Sequence, residues 1–148
     1  MTSDRPVLAG APEGMSAGDR ELLAIATGIL DERYRERVHE VAAALRLADG
    51  RVVTGLHVEA SAGRASVCAE SAALSAAVVA GSPVVSVVGV LERPGGSRHL
   101  IEPCGVCAEL LGDHAPEATV WVAVDAAFAP VRVADLLPFR RRRAARPV

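Results

Sequence analysis

Three cysteines in two short motifs constrain this chain more than any other feature. Cys68 lies in the motif C-A-E, Cys104 and Cys107 lie in P-C-G-V-C, and the chain has no other cysteine. Thiolates are strong ligands of zinc, which they bind in tetrahedral geometry. Three protein ligands leave a fourth position open, as in catalytic rather than structural zinc sites. The spacing therefore predicts one zinc ion (Zn2+) per subunit, with Glu70 close to it but not a ligand.

The cysteines are predicted at the beginnings of two helices. One helix is Ala69–Ala80, which is apolar on nearly every face, and the other runs from the P-C-G-V-C motif to about Leu111. Helix N-termini stabilise negative charge, which helps to keep thiols ionised. Residues three apart share a helix face, so Cys104 and Cys107 can bind the same ion. Zinc lowers the pKa of a bound water to about 7, and Glu70 can then accept a proton from it.

Two alternatives use these residues differently. The thiols can be unrelated, because cysteine also serves as a small buried hydrophobic residue. Alternatively, the zinc is structural and a fourth protein ligand closes it, for which His39, His57 and His99 are the candidates. The chain would then be a non-catalytic, zinc-stabilised binding or assembly protein. The proline before C-x-x-C and the separate C-A-E motif favour one metal site over unrelated thiols, and the Glu70 carboxylate favours catalysis over a structural role.

At these motifs the chain resembles the zinc-dependent cytidine deaminase family, including its blasticidin S deaminase branch, and the similarity runs from about Val38 to about Phe139. The family signature is a histidine or cysteine, any residue and glutamate, followed by P-C-x-x-C, with the glutamate as proton carrier. The resemblance implies hydrolysis of a cytidine-like nucleoside to the uridine compound and ammonia, by zinc-bound hydroxide with Glu70 moving protons. Deamination of another aminated heterocycle or an antibiotic nucleoside is the alternative.

The resemblance also implies substrate-binding residues. The segment G-L-H-V-E matches the family's G-x-N-x-E, whose asparagine and glutamate bind ribose hydroxyls, so His57 and Glu59 are expected to contact the substrate. His39 lies near the position of a pocket phenylalanine, and Ala69 stands between a zinc ligand and the glutamate. Phe139, in the segment L-L-P-F, matches a phenylalanine that enters the pocket of a neighbouring subunit. Local packing of Phe139 on its own core is the alternative.

Departures from the family pattern leave the substrate open. His57 replaces the usual asparagine, and Ala108-Glu109 replaces a frequent Arg-Gln pair. Ser71 follows Glu70 where members with three cysteines often have an arginine, which helps to offset the thiolate charge. Arg64, in the preceding loop, is a candidate to take over that role. The reaction type is retained, but cytidine itself is not determined as the substrate.

Strands alternate with helices along the chain, which predicts an α/β fold. The expected architecture is a three-layer α/β/α sandwich with a mixed five-stranded sheet, which the family also has. In order, the predicted elements are a helix over Arg20–Tyr34 capped by Asp19, a hairpin of Val38–Leu47 and Arg51–Val58, the Ala69–Ala80 helix, a strand over Val84–Leu91, the second cysteine helix, strands over Ala118–Val124 and near Val131–Val133, and a helical turn over Ala134–Leu137.

One deaminase domain is expected over residues 18–139, with a flexible leader at 1–17 and an Arg-rich tail at 140–148. Half of the residues are apolar but only 3% are aromatic, so the core is built from small side chains. We expect a homo-oligomer to bury further apolar surface, and the resemblance implies a tetramer. The net charge of −2 argues against nucleic-acid binding as a general function. The run Arg140–Arg143 is expected to be solvated, with phosphate or RNA binding as a weak alternative.

The sequence also bears on location. Residues 1–18 lack the basic-then-apolar order of a signal peptide. The longest apolar stretch, Ala72–Val90, is interrupted by Gly81-Ser82-Pro83, so no membrane span is expected. Few cysteines at metal-binding spacing are typical of a reducing compartment, which predicts a cytoplasmic protein.

Overall fold

The computed structural model describes residues 5–141, in which a β-sheet lies between two layers of helices. The elements are α1 (Ala17–Arg33), β1 (Val41–Leu47), β2 (Val52–Leu56), α2 (Ala69–Ala80), β3 (Val84–Glu92), β4 (Arg98–Leu100), α3 (Gly105–His114), β5 (Thr119–Val124), β6 (Ala127–Arg132) and α4 (Val133–Leu136). A 3-10 turn, Gly63–Ala65, precedes α2.

The sheet has six strands, one more than predicted. Five follow the order β2-β1-β3-β5-β6, and β4 pairs with β3 outside this path. Strands β3 and β5 are parallel, and the other pairs are antiparallel, so the sheet is mixed as expected. Strand β4 has only three residues, two of them Arg98 and His99. The sequence gives no strand pattern there, because a three-residue strand is too short to show alternation.

The β1–β2 hairpin forms at the predicted Asp49-Gly50 turn. Gly50 has φ +89°, a left-handed conformation that glycine adopts without a steric penalty. After β2, the chain leaves the sheet at His57, and a β-bridge joins Val58 to Val67. The predicted substrate-binding segment is therefore held directly beside the first cysteine motif.

Helices cover both faces of the sheet, which confirms the three-layer α/β/α prediction. Alternate residues of each strand point to opposite faces. On one face, α2 and α3 pack against a cluster that includes Leu45, Leu74, Val87, Leu111 and Val120. On the other face, α1 packs against a second cluster, which includes Leu22, Leu30, Val88, Val90 and Trp121.

Helix α1 begins at Ala17, earlier than predicted, because Ser16 and not Asp19 is its N-cap. The Ser16 hydroxyl accepts a hydrogen bond from the backbone N–H of Asp19. The Asp19 carboxylate instead points to the sheet, where it accepts from the Ser86 hydroxyl at 2.6 Å and from the Trp121 indole N–H at 3.0 Å. Asp19 thus joins the helix to two central strands, a role that its position in the sequence does not indicate.

Helix α2 is the apolar helix of the sequence, and in the single chain only part of its surface is covered. Ala73, Leu74 and Ala77 are buried, whereas Val78 is 60% exposed and Val79 is 87% exposed. An apolar helix of this kind predicts a further partner surface, and within one chain Val78 and Val79 are left uncovered. In residues 5–141, no helix is both long and apolar enough to cross a membrane.

The segment predicted as a flexible leader contacts the rest of the chain from residue 5 onward. The backbone N–H of Leu8 donates to the carbonyl of β4's first residue. The buried His99 donates from Nδ1 to the Pro6 carbonyl at 3.0 Å, and Arg5 forms an ion pair with Glu102. Residues 1–4 of the leader lie outside the described residues.

Arg140 caps the C-terminus of α3, although the sequence assigns it to a solvated tail. Its guanidinium donates to the Gly112 carbonyl at 2.6 Å and to Asp113 Oδ1 at 2.8 Å. Its side chain is only 9% exposed. A Cβ at Gly112 would lie 2.9 Å from Arg140 Cζ, so the glycine makes room for the guanidinium while the helix continues to His114. Residues 142–148 of the predicted tail lie outside the described part.

Candidate metal centre

The three cysteine sulfurs converge where α2 and α3 begin. All three Sγ atoms lie within 4.8 Å of one another, and those of Cys68 and Cys104 are 3.6 Å apart. Tetrahedral zinc ligands about 2.3 Å from the ion lie about 3.8 Å from one another, so this spacing fits one zinc. Among the described residues, the group able to hold a metal consists of these cysteines with no histidine. The site therefore fits three thiolates and an open fourth position.

Helix geometry places the sulfurs and influences their ionisation. Cys68 and Cys104 are the N-cap residues of α2 and α3, and Cys107 lies in the first turn of α3. Burial acts to raise the pKa of Cys104, but the backbone N–H groups of Cys107 and Val106 contribute hydrogen bonds that bring the pKa below its ordinary value. Burial raises the pKa of Cys68 and of Cys107. Metal binding must therefore release protons from these thiols.

Glu70 is a buried carboxylate beside the sulfurs. Only 4% of the residue is exposed, and its Oε2 accepts from the Cys107 thiol at 3.6 Å. Burial raises the pKa of Glu70 against the opposing effect of hydrogen bonds from its own backbone N–H and from Cys107. Carboxylates are rarely buried without a cationic partner. Glu70 therefore lies beside the thiol cluster as a buried carboxyl, a kind of group that can hold and release a proton.

Two glycines, which the sequence did not indicate as site residues, let the elements approach closely. A Cβ on Gly55 would lie 2.0 Å from the Ala69 carbonyl oxygen, and a Cβ on Gly89 would lie 3.3 Å from Glu70 Oε1. Ala69, expected to contact substrate, is fully buried, and its carbonyl oxygen faces Gly55 of β2. The available signal was a lone glycine within each strand pattern, which often marks the close approach of another backbone or a ligand.

His57 and Glu59 form a hydrogen-bonded pair at the edge of the site. His57 Nε2 donates to Glu59 Oε2 at 2.9 Å, and the Ser66 hydroxyl donates to Oε1 at 2.9 Å. The backbone N–H of Glu40 lies 3.5 Å from His57 Nδ1, which favours the tautomer with the proton on Nε2. His57 also acts electrostatically to lower the pKa of Glu70, against the larger effect of burial. The sequence did not indicate Ser66 as a partner.

The remaining predicted site residues lie farther out or elsewhere. His39 Nδ1 donates to the His57 carbonyl at 2.8 Å, so it supports the backbone of the pair. Phe139 is 99% exposed, which excludes the alternative that it packs on its own core. His99 contacts Pro6 and Ser97, so it is not a fourth metal ligand.

Ser71 contacts the metal centre, a contact that the sequence did not predict. Its hydroxyl oxygen lies 3.1 Å from Cys107 Sγ. Arg64, the residue proposed to offset thiolate charge, is exposed in the 3-10 turn. Within the described part of the chain, it donates no side-chain hydrogen bond.

Comparison with known proteins agrees with this geometry. Residues 16–123 match the family model described as the cytidine and deoxycytidylate deaminase zinc-binding region. The chain is 31% identical over 134 residues to the blasticidin-S deaminase of Bacillus cereus, which covers 87% of this chain and 96% of that protein. It is 33% identical over 98 residues to a cytidine deaminase of Mycobacterium tuberculosis, covering 66% of this chain and 69% of that one.

The fold comparison gives the same result. The crystal structure of cytidine deaminase from Mycobacterium tuberculosis superimposes with a TM-score of 0.66 and 28% sequence identity, covering 84% of this chain and 97% of that chain. Cytidine deaminase from Burkholderia pseudomallei superimposes with a TM-score of 0.67 and 28% identity, covering 84% and 98%. The three-thiolate cluster, the sheet and the sequence matches lead to one conclusion: this chain belongs to the cytidine and deoxycytidylate deaminase family of zinc-dependent hydrolytic enzymes.

Proposed function

We propose that this protein hydrolyses the exocyclic amine of a cytosine-type nucleoside and releases ammonia. The observation that carries the proposal is the buried Glu70 carboxylate, which lies 3.6 Å from Cys107 Sγ at a cluster of three thiols. A purely structural zinc site has no need of a carboxylate on its open side. Cys68, Cys104 and Cys107 would hold the zinc, and Glu70 would carry protons.

The reaction replaces a ring C–NH2 group by C=O. When bound, the zinc ion supplies a Lewis acid, which makes water a nucleophile at neutral pH. Glu70 accepts a proton from water as the water oxygen bonds to the ring carbon, and passes it to the adjacent ring nitrogen. Glu70 then carries the second proton of the water to the amine, which leaves as ammonia with the electrons of the broken C–N bond. Glu70 lies on α2 against Gly89 of β3, and its burial keeps bulk water away from the carboxylate.

The hydrogen-bonded pair of His57 and Glu59 orients the substrate. Glu59 Oε2 accepts from His57 and Oε1 accepts from Ser66, so the carboxylate has a fixed direction and spare lone pairs for substrate hydroxyl or amino groups. His39 acts indirectly, by holding the His57 backbone. Ala69 is fully buried in the single chain, and its proposed contact with substrate is through the backbone at the start of α2.

A larger aminated nucleoside, such as an antibiotic of the blasticidin S type, is the second candidate substrate. Two observations favour it. The B. cereus relative with that name matches over 96% of its length. In addition, His57 stands where the family usually has an asparagine that binds the ribose. Its imidazole N–H already donates to Glu59, so His57 does not bind a ribose in the way that the asparagine does. Both candidates share the reaction at the amine-bearing carbon.

Ammonia release from zinc-loaded protein tests both candidates. Cytidine, deoxycytidine and blasticidin S are each supplied, and the substrate with the highest kcat/KM is identified. Glu70→Gln is the decisive variant, because it keeps the shape of the side chain but cannot carry the proton. We expect it to retain zinc and to lose about 10²- to 10⁴-fold in kcat. Loss of zinc from this variant would instead make Glu70 a structural residue, and full activity would remove it from the reaction.

We propose that the protein is a homotetramer in which Phe139 reaches a neighbouring subunit. Phe139 is 99% exposed while Arg140, the next residue, is fixed to α3. Val79 on α2 and Val106 on α3 are also exposed, at 87% and 67%. Light scattering should give four times the mass of the chain. A monomer with full activity would contradict both the assembly and the role of Phe139.

A further inference from the structure

The contact between Ser71 and Cys107 links the two cysteine motifs across helices. Ser71 follows Glu70 on α2, and its Oγ lies 3.1 Å from the sulfur of Cys107 on α3. Cys107 is fully buried and Ser71 is partly buried, so bulk water does not readily replace this hydroxyl. The contact involves the one sulfur that also approaches Glu70.

The Ser71 hydroxyl lies beside a site that carries excess negative charge. Three thiolates and one zinc ion have a net charge of −1, and Glu70 lies beside them. Among the described residues, Ser71 is the one side chain, apart from the cysteines themselves, that can donate a hydrogen bond to these sulfurs. A hydrogen bond to a charged sulfur is stronger than one between neutral groups.

No helix carbonyl lies in the usual position for a bond back from the Ser71 hydroxyl. A serine within a helix commonly donates to the carbonyl four residues earlier, but Ser71 is the third residue of α2, so that carbonyl belongs to Val67, which precedes the helix. That carbonyl already accepts from the backbone N–H of Val58 in the β-bridge. The Ser71 hydroxyl is thus directed to the sulfur rather than to its own backbone.

We propose that Ser71 is a positioning residue of the metal centre, whose hydroxyl donates to the Cys107 thiolate. The hydrogen bond fixes the orientation of that ligand and withdraws electron density from its sulfur. Groups that hydrogen bond to metal ligands orient the ligands and adjust the metal's properties. This inference rests on the proposed function in one respect, that the three cysteines bind a metal.

Cobalt-substituted protein gives a readout that does not depend on turnover. Co²⁺ bound by thiolates absorbs through sulfur-to-metal charge transfer, and the band energy falls when the sulfur loses a hydrogen-bond donor. Ser71→Ala removes the donor, and Ser71→Thr keeps a hydroxyl. Ser75→Ala is the matched control, because Ser75 is exposed one turn later on the same helix. Metal affinity is measured in parallel by competition with a chelator.

The expected result for Ser71→Ala is a charge-transfer band at longer wavelength and a metal affinity about tenfold weaker. Ser71→Thr should restore the wild-type band, and Ser75→Ala should not change it. A Ser71→Ala spectrum that superimposes on that of the wild type would overturn the proposal. If the wild type itself gives no thiolate–cobalt band, the metal centre is absent and the proposed function fails together with this inference. That outcome is recognised before any Ser71 variant is made.

Discussion

A Cβ on Gly89 would lie 3.3 Å from Oε1 of Glu70, so the carboxylate packs directly against the central strand β3. Strand β3 is the element that follows α2 along the chain, and the absence of a side chain at Gly89 leaves the space that the Glu70 carboxylate occupies. The direction of this carboxylate relative to the sulfurs is therefore determined by the sheet and not by α2 alone.

Gly89→Ala should displace the Glu70 carboxylate by a few tenths of an ångström without removing a metal ligand. We expect kcat to fall about 10- to 100-fold, because small misplacements of a reacting group are costly. Zinc content, measured by elemental analysis, should stay at one per chain. The control is Gly28→Ala on α1, where a Cβ meets no atom within 4 Å. Equal kcat values for the wild type and Gly89→Ala would show that Glu70 tolerates the added methyl group.

Gly55→Ala should destabilise the fold. The new Cβ would lie 2.0 Å from the Ala69 carbonyl oxygen and 2.6 Å from the Ala73 nitrogen, both backbone atoms that cannot rotate away. Helix α2 must move off β2, so we expect the free energy of unfolding to fall by about 3 kcal/mol or more. Urea denaturation followed by circular dichroism measures this change. Unaltered stability would mean that α2 does not lie on β2 as described.

Asp19→Asn should weaken the connection between α1 and the sheet. The Asp19 carboxylate accepts from two donors, Ser86 and Trp121, whereas an amide presents one oxygen and one NH2 group to them. We expect a loss of about 1–3 kcal/mol in the free energy of unfolding. Trp121 is the only tryptophan, so its fluorescence reports the unfolding of this contact.

The matched control for Asp19 is Asp31→Asn on the same helix. Asp31 pairs with Arg98, and its side chain is 64% exposed. An exposed ion pair contributes about 0–1 kcal/mol, so the control should unfold close to the wild type. If both substitutions lower the free energy of unfolding equally, the contacts of Asp19 with the sheet contribute no more than an exposed ion pair.

Arg140→Ala should uncap α3. The guanidinium donates to the Gly112 carbonyl and pairs with Asp113, and cations stabilise helix C-termini. We expect unfolding to become easier by about 1–2 kcal/mol, measured by chemical denaturation. Arg141→Ala, at the neighbouring exposed arginine, should have little effect. The same loss in both variants would indicate a general charge effect instead of a cap.

Removal of zinc should lower the thermal midpoint of unfolding. A metal that binds only the folded state adds about 4 kcal/mol when its free concentration is a thousand times its Kd. Differential scanning calorimetry with a chelator, and after zinc is restored, measures the shift. Cys68→Ser lacks one of the ligands and should respond far less to the chelator. A wild-type midpoint that does not change as zinc is removed would rule out a stabilising metal.

Local patterns in the sequence were sufficient for the metal ligands and most elements. The motifs around Cys68 and Cys104 predicted where α2 and α3 begin, because helix start signals and ligand spacing act over a few residues. Asp49-Gly50 predicted the hairpin turn, since glycine supplies the left-handed conformation there. The alternation of strands and helices predicted the three layers.

Only the tertiary structure decided which distant groups meet. The partners of Asp19, Ser71, Gly89 and Arg140 lie on other elements, and no local pattern encodes those distances. Such contacts depend on how strands align and how closely helices approach the sheet, which are properties of the whole core. The sequence by itself determined the chemistry that the chain carries. Packing decided where the acid, the sulfurs and the groups that hold them come together.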